Sequence, residues 1–186
     1  QLRVRLWRVL PWDPSVLSGE PGGALWVPRA LQGTGRHDAP ERYGCLYLAE
    51  AAVSAVAESL APFRGTGDLG PELLVRSGRQ LAVAELELDD HAVLIDLDDP
   101  AMLVAESLRP STVATGHRDT TQSYALGQFL RHPEAAGLRW WSTLEASWIH
   151  VTLFDRALGA AKVSGVQPLG VDDEAVITAA AHLGLA

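Results

Sequence analysis

The sequence predicts an α+β fold in a single domain, residues 1–186, and three observations lead there. Strand-like and helix-like segments follow one another without a regular strand–helix–strand rhythm, which argues against a doubly wound parallel sheet. No G-x-G-x-x-G follows a strand and no Walker loop occurs, so the standard dinucleotide and nucleoside-triphosphate cradles are absent. A length of 186 residues, 47% of them apolar, suits one hydrophobic core.

Taken in order, Arg3 to Val9 places Val4, Leu6 and Val9 among charged residues and reads as a short strand, closed by Pro11 and Pro14. Ser15 to Arg42 carries Gly19, Gly22, Gly23, Gly33 and Gly35 with Pro21, Pro28 and Pro40, and reads as loop. A loop this long in a compact domain is usually functional or mobile. Gly44 to Leu48 is a buried strand. Ala49 to Leu60 is the clearest helix, because Val53, Val56, Ala57 and Leu60 recur at three- and four-residue steps; Pro62, Gly65 and Gly67 stop it. Leu81 to Leu88 alternates as a strand, and Ala92 to Leu97 is expected to form another. The Asp96 to Pro100 turn leads into a short helix, Ala101 to Ser107. A longer helix follows from Thr120 to Arg131, with Tyr124, Leu126, Phe129 and Leu130 available to the core. Gly137 to Trp141 and Trp148 to Phe154 read as late strands. The last helix, Asp172 to Leu183, opens with acids at its positive end, as the helix dipole favours.

Charge and composition remove several function classes. A formal charge of −8 opposes broad electrostatic binding to DNA, RNA or anionic lipid, although a few arginines in a cleft can still hold a small anion. The one cysteine, Cys45, excludes an internal disulfide and a Cys-rich metal site, and the six histidines form no H-E-x-x-H pattern, so no metal is expected. No apolar run nears the roughly 20 residues needed to span a bilayer. Gln1 to Trp7 lacks the apolar stretch of a signal peptide, so a cytoplasmic location is the default; the missing initiator Met leaves a removed leader open.

Three constellations bear on chemistry. Arg36 lies in Gly35-Arg36-His37-Asp38-Ala39-Pro40, where its planar fork can meet a phosphate or stand in solvent as an ordinary loop arginine. Glu58 projects near the edge of the apolar helix face, either as a rim residue or held in a cleft. Trp140-Trp141-Ser142-Thr143 precedes an apolar run; the tryptophans fit core or pocket, and Ser142 reads first as a strand-end hydroxyl, since no G-x-S-x-G elbow surrounds it.

Further segments join these in a recognisable order. They are Leu6-Trp7-Arg8-Val9, then Gly35 to Pro40, then Leu46-Tyr47-Leu48-Ala49-Glu50 with Ala57-Glu58. Leu97 to Pro100, Thr121 to Ala125, Gly137 to Ser142 and Leu153 to Arg156 follow. The ordered set resembles the RES-domain family, toxins of bacterial RES–Xre toxin–antitoxin pairs. Thr143 stands where relatives often carry a basic residue, and Glu145 to Trp148 replaces a turn that usually bears Gly and Asn.

The resemblance implies an ADP-ribosyltransferase-like mixed or antiparallel sheet with flanking helices. It also implies NAD degradation, by phosphorolysis to ADP-ribose-1″-phosphate and nicotinamide or by hydrolysis. The functional Arg, Glu and Ser of the family map to Arg36, Glu58 and Ser142. Tyr47, midway in sequence between Arg36 and Glu58, would pack on nicotinamide, and Trp141 or Trp140 would line the pocket. NAD is then substrate rather than cofactor, with inorganic phosphate as co-substrate. An Xre-type antitoxin is the implied protein partner, and a homodimer is a further expectation. Transfer of ADP-ribose to a protein, or a non-catalytic binding module of the same fold, are the alternatives.

Overall fold

The computed structural model describes residues 4–185. Its strands are β1 (Val4–Pro11), β2 (Cys45–Ala49), β3 (Val75–Arg76), β4 (Arg79–Leu88), β5 (Leu94–Asp96), β6 (Gly137–Trp141), β7 (Ile149–Phe154) and β8 (Ala161–Pro168). The α-helices are α1 (Ala52–Leu60), α2 (Pro100–Ala105), α3 (Pro110–Val113), α4 (Arg118–Arg131) and α5 (Glu174–Leu183). With β5 parallel to β6 and antiparallel pairs beside it, the class is α+β with mixed pairing, as expected. Two compact units form: Val27–Leu48 with Leu88–Ala161, and Arg5–Trp26 with Ala49–Glu87 and the segment from Lys162 onward.

In the first unit the strands run β2-β7-β6-β5. β5 lies parallel to β6, pairing Ile95 with Leu138, and β6 lies antiparallel to β7, pairing Trp140 with His150. β7 is interior, which explains the unbroken apolar reading of its sequence: Val151, Leu153 and Phe154 are fully buried. Gly137 is required by close approach, because a Cβ there would lie 2.1 Å from the Thr152 carbonyl oxygen. α4 adds Tyr124 and Ala125 to a core shared with Leu138, Trp140 and Phe154. At its other end Phe129, Tyr43 and Phe154 cluster, tilted or edge to face, with ring centroids 4.4–5.1 Å apart, and the Arg156 guanidinium sits 4.0 Å from the Phe129 centroid.

In the second unit β4 carries β3, β8 and β1, and its alternating burial puts Ala82, Ala84 and Leu86 inside, with Leu81 buried beside them. α1 packs on α5, burying Val56, Ala57 and Leu60 against a stripe of Val176, Ala179, Ala180 and Leu183. Burying a side chain the size of Leu60 contributes roughly 1.5–3 kcal/mol. α5 stops at Gly184, whose left-handed φ of 69° lets Leu185 N–H reach the Ala180 carbonyl at 2.9 Å. Arg8 donates through Nη1 to the Ala24 and Trp26 carbonyls at 2.8 and 3.0 Å, and crowding by protein lowers its pKa to about 10, so it stays a cation at neutral pH.

Several boundaries differ from the sequence reading. Arg3 lies outside the described residues, and β1 continues through Pro11. The first helix begins at Ala52 rather than Ala49, because Ala49 ends β2 opposite Trp7 and Ala51 is still extended. The strand expected over Ala92 to Leu97 contracts to Leu94–Asp96. Asp99 caps α2 by accepting the Ala101 N–H at 2.9 Å, which starts the helix at Pro100. The strand expected from Trp148 starts one residue later, and α5 starts at Glu174 behind Asp173. α4 turns Tyr124, Leu126 and Phe129 to the core as expected, but not Leu130. Thr121, Tyr124, Ala125 and Gln128 are buried, whereas Leu130 is 59% exposed.

Candidate functional site

The loop from Gly33 to Pro40 is built around one carboxylate. Asp38 Oδ2 accepts the Gly33 and Gly35 N–H groups at 2.8 and 2.7 Å, while Oδ1 accepts the Tyr47 hydroxyl at 2.6 Å. The same phenol oxygen accepts the His37 N–H at 2.9 Å, so β2 holds the loop through one side chain. Gly35 is needed by space: a Cβ there would lie 2.6 Å from both Asp38 Oδ1 and the Tyr47 hydroxyl. Burial first, then nearby Cys45 and Asp38, pushes the Tyr47 phenol well above its usual 10, so it remains a donor. Gln122 of α4 closes the turn, its amide donating to the Gly33 and Gly35 carbonyls at 3.1 and 2.8 Å.

Arg36 is 7% exposed, which overturns its reading as a solvated loop residue. Its Nη1 donates to the Val113 and Thr115 carbonyls at 3.0 and 2.9 Å, and its guanidinium carbon stands 5.0 Å from the Trp140 ring centroid. Carbonyl dipoles and an aromatic face steady the cation. The adjacent His37 is fully buried. Its Nδ1 lies 2.7 Å from Thr152 Oγ1 and its Nε2 lies 2.7 Å from the Tyr124 hydroxyl. Burial, reinforced by the Arg36 and Arg118 charges, holds its pKa well below 6.5 and keeps the ring neutral. Trp140 donates its indole N–H to Thr152 Oγ1 at 3.1 Å. Trp140 is therefore a core residue that also faces the arginine.

The other candidates take definite places. Ser142 directly follows β6 and is 2% exposed; its Oγ accepts the Leu144 N–H at 3.0 Å, the strand-end role read from sequence. Trp141 is half-buried against the first unit's core. Arg36, Tyr47, Trp141 and Ser142 thus belong to one unit. Glu58 belongs to the other, exposed on α1. A cleft of about 400 Å³ beside the Arg36 loop is lined by Gly33, Asp38, Glu41, Asp119, Gln122 and Leu126, among others. His37, Tyr124, Thr152 and Gln122 were not singled out as site residues from sequence. The available signal was polar residues at Thr121, Gln122, Tyr124 and Gln128, crowding a helix that otherwise needs an apolar stripe.

This geometry defines an α+β protein whose one polar interior surrounds a loop arginine. The RES-domain family model matches residues 5–174, and the chain belongs to that family. Among solved structures it is similar to a chain of the M. tuberculosis MbcT–MbcA toxin–antitoxin complex, at 17% identity and a TM-score of 0.65, over 99% of this chain and 89% of that one. No curated protein sequence matches it. No helix among the described residues is long and apolar enough to cross a membrane.

Proposed function

We propose that this protein is a toxin-type enzyme that consumes NAD by breaking the nicotinamide–ribose bond. The observation that carries the reading is the family match, which spans Arg36, Tyr47, Glu58 and Ser142 together. Breaking that bond builds positive charge on the ribose, as in glycoside chemistry. Glu58 supplies the opposing carboxylate. It is exposed on α1, and the dinucleotide itself would exclude water around it. Nicotinamide departs as a neutral base from a cationic glycoside, so no general acid is needed.

Arg36 holds the pyrophosphate or an attacking phosphate, a role suited to a buried guanidinium that stays charged. Ser142 orients the ribose, and Tyr47 and Trp141 contribute aromatic surface to the nicotinamide end. Phosphate attack at the anomeric carbon gives ADP-ribose-1″-phosphate; water gives ADP-ribose. NAD is thus substrate, with no separate cofactor. The similar chain was solved in a toxin–antitoxin complex, which supports a protein antitoxin as this chain's partner; the type we assign to it is Xre.

The test is incubation of purified protein with NAD, with and without inorganic phosphate, and identification of products by mass spectrometry. Nicotinamide release is expected in either case, with the phosphorylated sugar only when phosphate is present. NAD left intact under both conditions overturns the reading.

A further inference from the structure

We infer that His37 is a positioning residue: a neutral imidazole, clamped between Thr152 and Tyr124, that sets the direction of the Arg36 guanidinium. Five groups meet this one residue. Thr152 on β7 and Tyr124 on α4 hold the two ring nitrogens at 2.7 Å each. Tyr47 holds its N–H at 2.9 Å, and the Tyr43 hydroxyl donates to its carbonyl at 2.8 Å. The Cys45 thiol approaches the same carbonyl at 3.4 Å. The peptide joining Arg36 to His37 therefore has no freedom to turn, and the arginine side chain leaves the backbone along one path, toward Val113, Thr115 and the Trp140 face.

Chemistry explains the residue type. With Arg36 and Arg118 acting on the same ring, a third cation at position 37 would be repelled. A neutral imidazole has one donor and one acceptor, and each hydroxyl it meets can play either part, so both ends are satisfied without charge. Trp140 extends the chain by donating to the same Thr152 oxygen at 3.1 Å, while its ring lies 5.2 Å from the imidazole, edge to face. Arginine, imidazole and indole are thereby fixed to one another. Any ligand anion that Arg36 grips meets a guanidinium whose direction is already set, which lowers the ordering cost of binding.

The kinetic arm rests on the NAD reading. His37→Phe keeps a ring but not its hydrogen bonds, and should raise KM for NAD about tenfold, with kcat within about threefold. His37→Asn restores the Thr152 contact and should recover most of that loss. A wild-type KM in the Phe variant, or an Asn variant as impaired as the Phe variant at equal thermal stability, overturns the inference. If the Phe variant does not fold, Tyr124→Phe removes one clamp alone and should move KM in the same direction. A second arm needs no turnover: the Arg36 guanidinium N–H resonance, shifted by the Trp140 ring current, should move toward its free value in Tyr124→Phe. A resonance that stays in place overturns the inference whether or not NAD is consumed, whereas an intact NAD pool with a shifted resonance counts only against the proposed reaction.

Discussion

The two units treat polar atoms in opposite ways. Among the described residues, the buried polar ones are Arg36, His37, Asp38, Thr121, Gln128, Ser142, His150 and Thr152 in the first, against Ser54 in the second. Burying polar groups costs free energy unless each finds a partner, so a core selected for stability alone would resemble the second unit. The first unit instead gathers hydroxyls, an imidazole, a guanidinium and a carboxylate around one loop. The difference teaches where something other than stability shaped the sequence.

That contrast can be broken at both ends. In the apolar unit, Leu60→Ala should remove about 2–5 kcal/mol of stability, read as a shifted denaturation midpoint, because it opens a cavity at a fully buried site. A loss below about 1 kcal/mol would mean that the packing of α1 on α5 is loose. Glu58→Gln lies on the same helix, yet should slow nicotinamide release by about 10²-fold while leaving the midpoint unchanged. Wild-type turnover in that variant would remove Glu58 from the reaction and leave the second unit as packing alone.

Smaller effects sharpen the contrast. Tyr47→Phe strips Asp38 of a donor and the His37 N–H of its acceptor, and should cost about 1–3 kcal/mol in thermal or urea unfolding. No measurable loss would show that the loop does not depend on that hydroxyl. Acid should act on the first unit preferentially. Because the folded His37 has a pKa well below 6.5, unfolding takes up a proton; the stability it confers is complete above 6.5 and is lost as pH falls from there toward the folded value. Glu106 adds the same sign at lower pH, since hydrogen bonds from Gln128, then Arg131 and His132, lower its pKa despite partial burial. Hydrogen exchange, corrected for intrinsic rates, should show the first unit losing protection on acidification before the second; simultaneous loss would contradict this. At the bottom of the scale, Arg5→Ala removes an ion pair to Glu85 at 3.6 Å whose side chains are 70% and 37% exposed. Its effect on the midpoint should stay within about 0.5 kcal/mol.

Much of the second unit was legible in the sequence because its physics is periodic. The apolar steps of α1 and the alternation of β4 mark their buried faces directly. β8 escaped because Lys162, Ser164, Gly165 and Gln167 leave an exposed strand without an apolar rhythm. α3 escaped because four residues make one turn. In the first unit, periodicity is only partly a guide: it placed Tyr124, Leu126 and Phe129 of α4 on the core, but Thr121 and Gln128 share the buried face and Leu130 faces solvent. Arg36 and Ser142 were reached through family likeness, while the burial of Arg36 depends on carbonyls near position 113, distant in sequence. The His37 contacts come from three elements far apart along the chain, and no local pattern encodes them.

Gly35 shows how an empty volume can carry information. The room a methyl group would fill is taken by the Asp38 carboxylate and the Tyr47 oxygen. The position contributes no chemistry of its own, yet any heavier residue there must displace the carboxylate and the phenol that shape the turn. Variation within this loop is therefore channelled to its outer positions, such as Thr34 and Glu41, both solvent-facing. A lineage could retune the rim of the loop freely while the geometry beneath it stays frozen by one missing carbon.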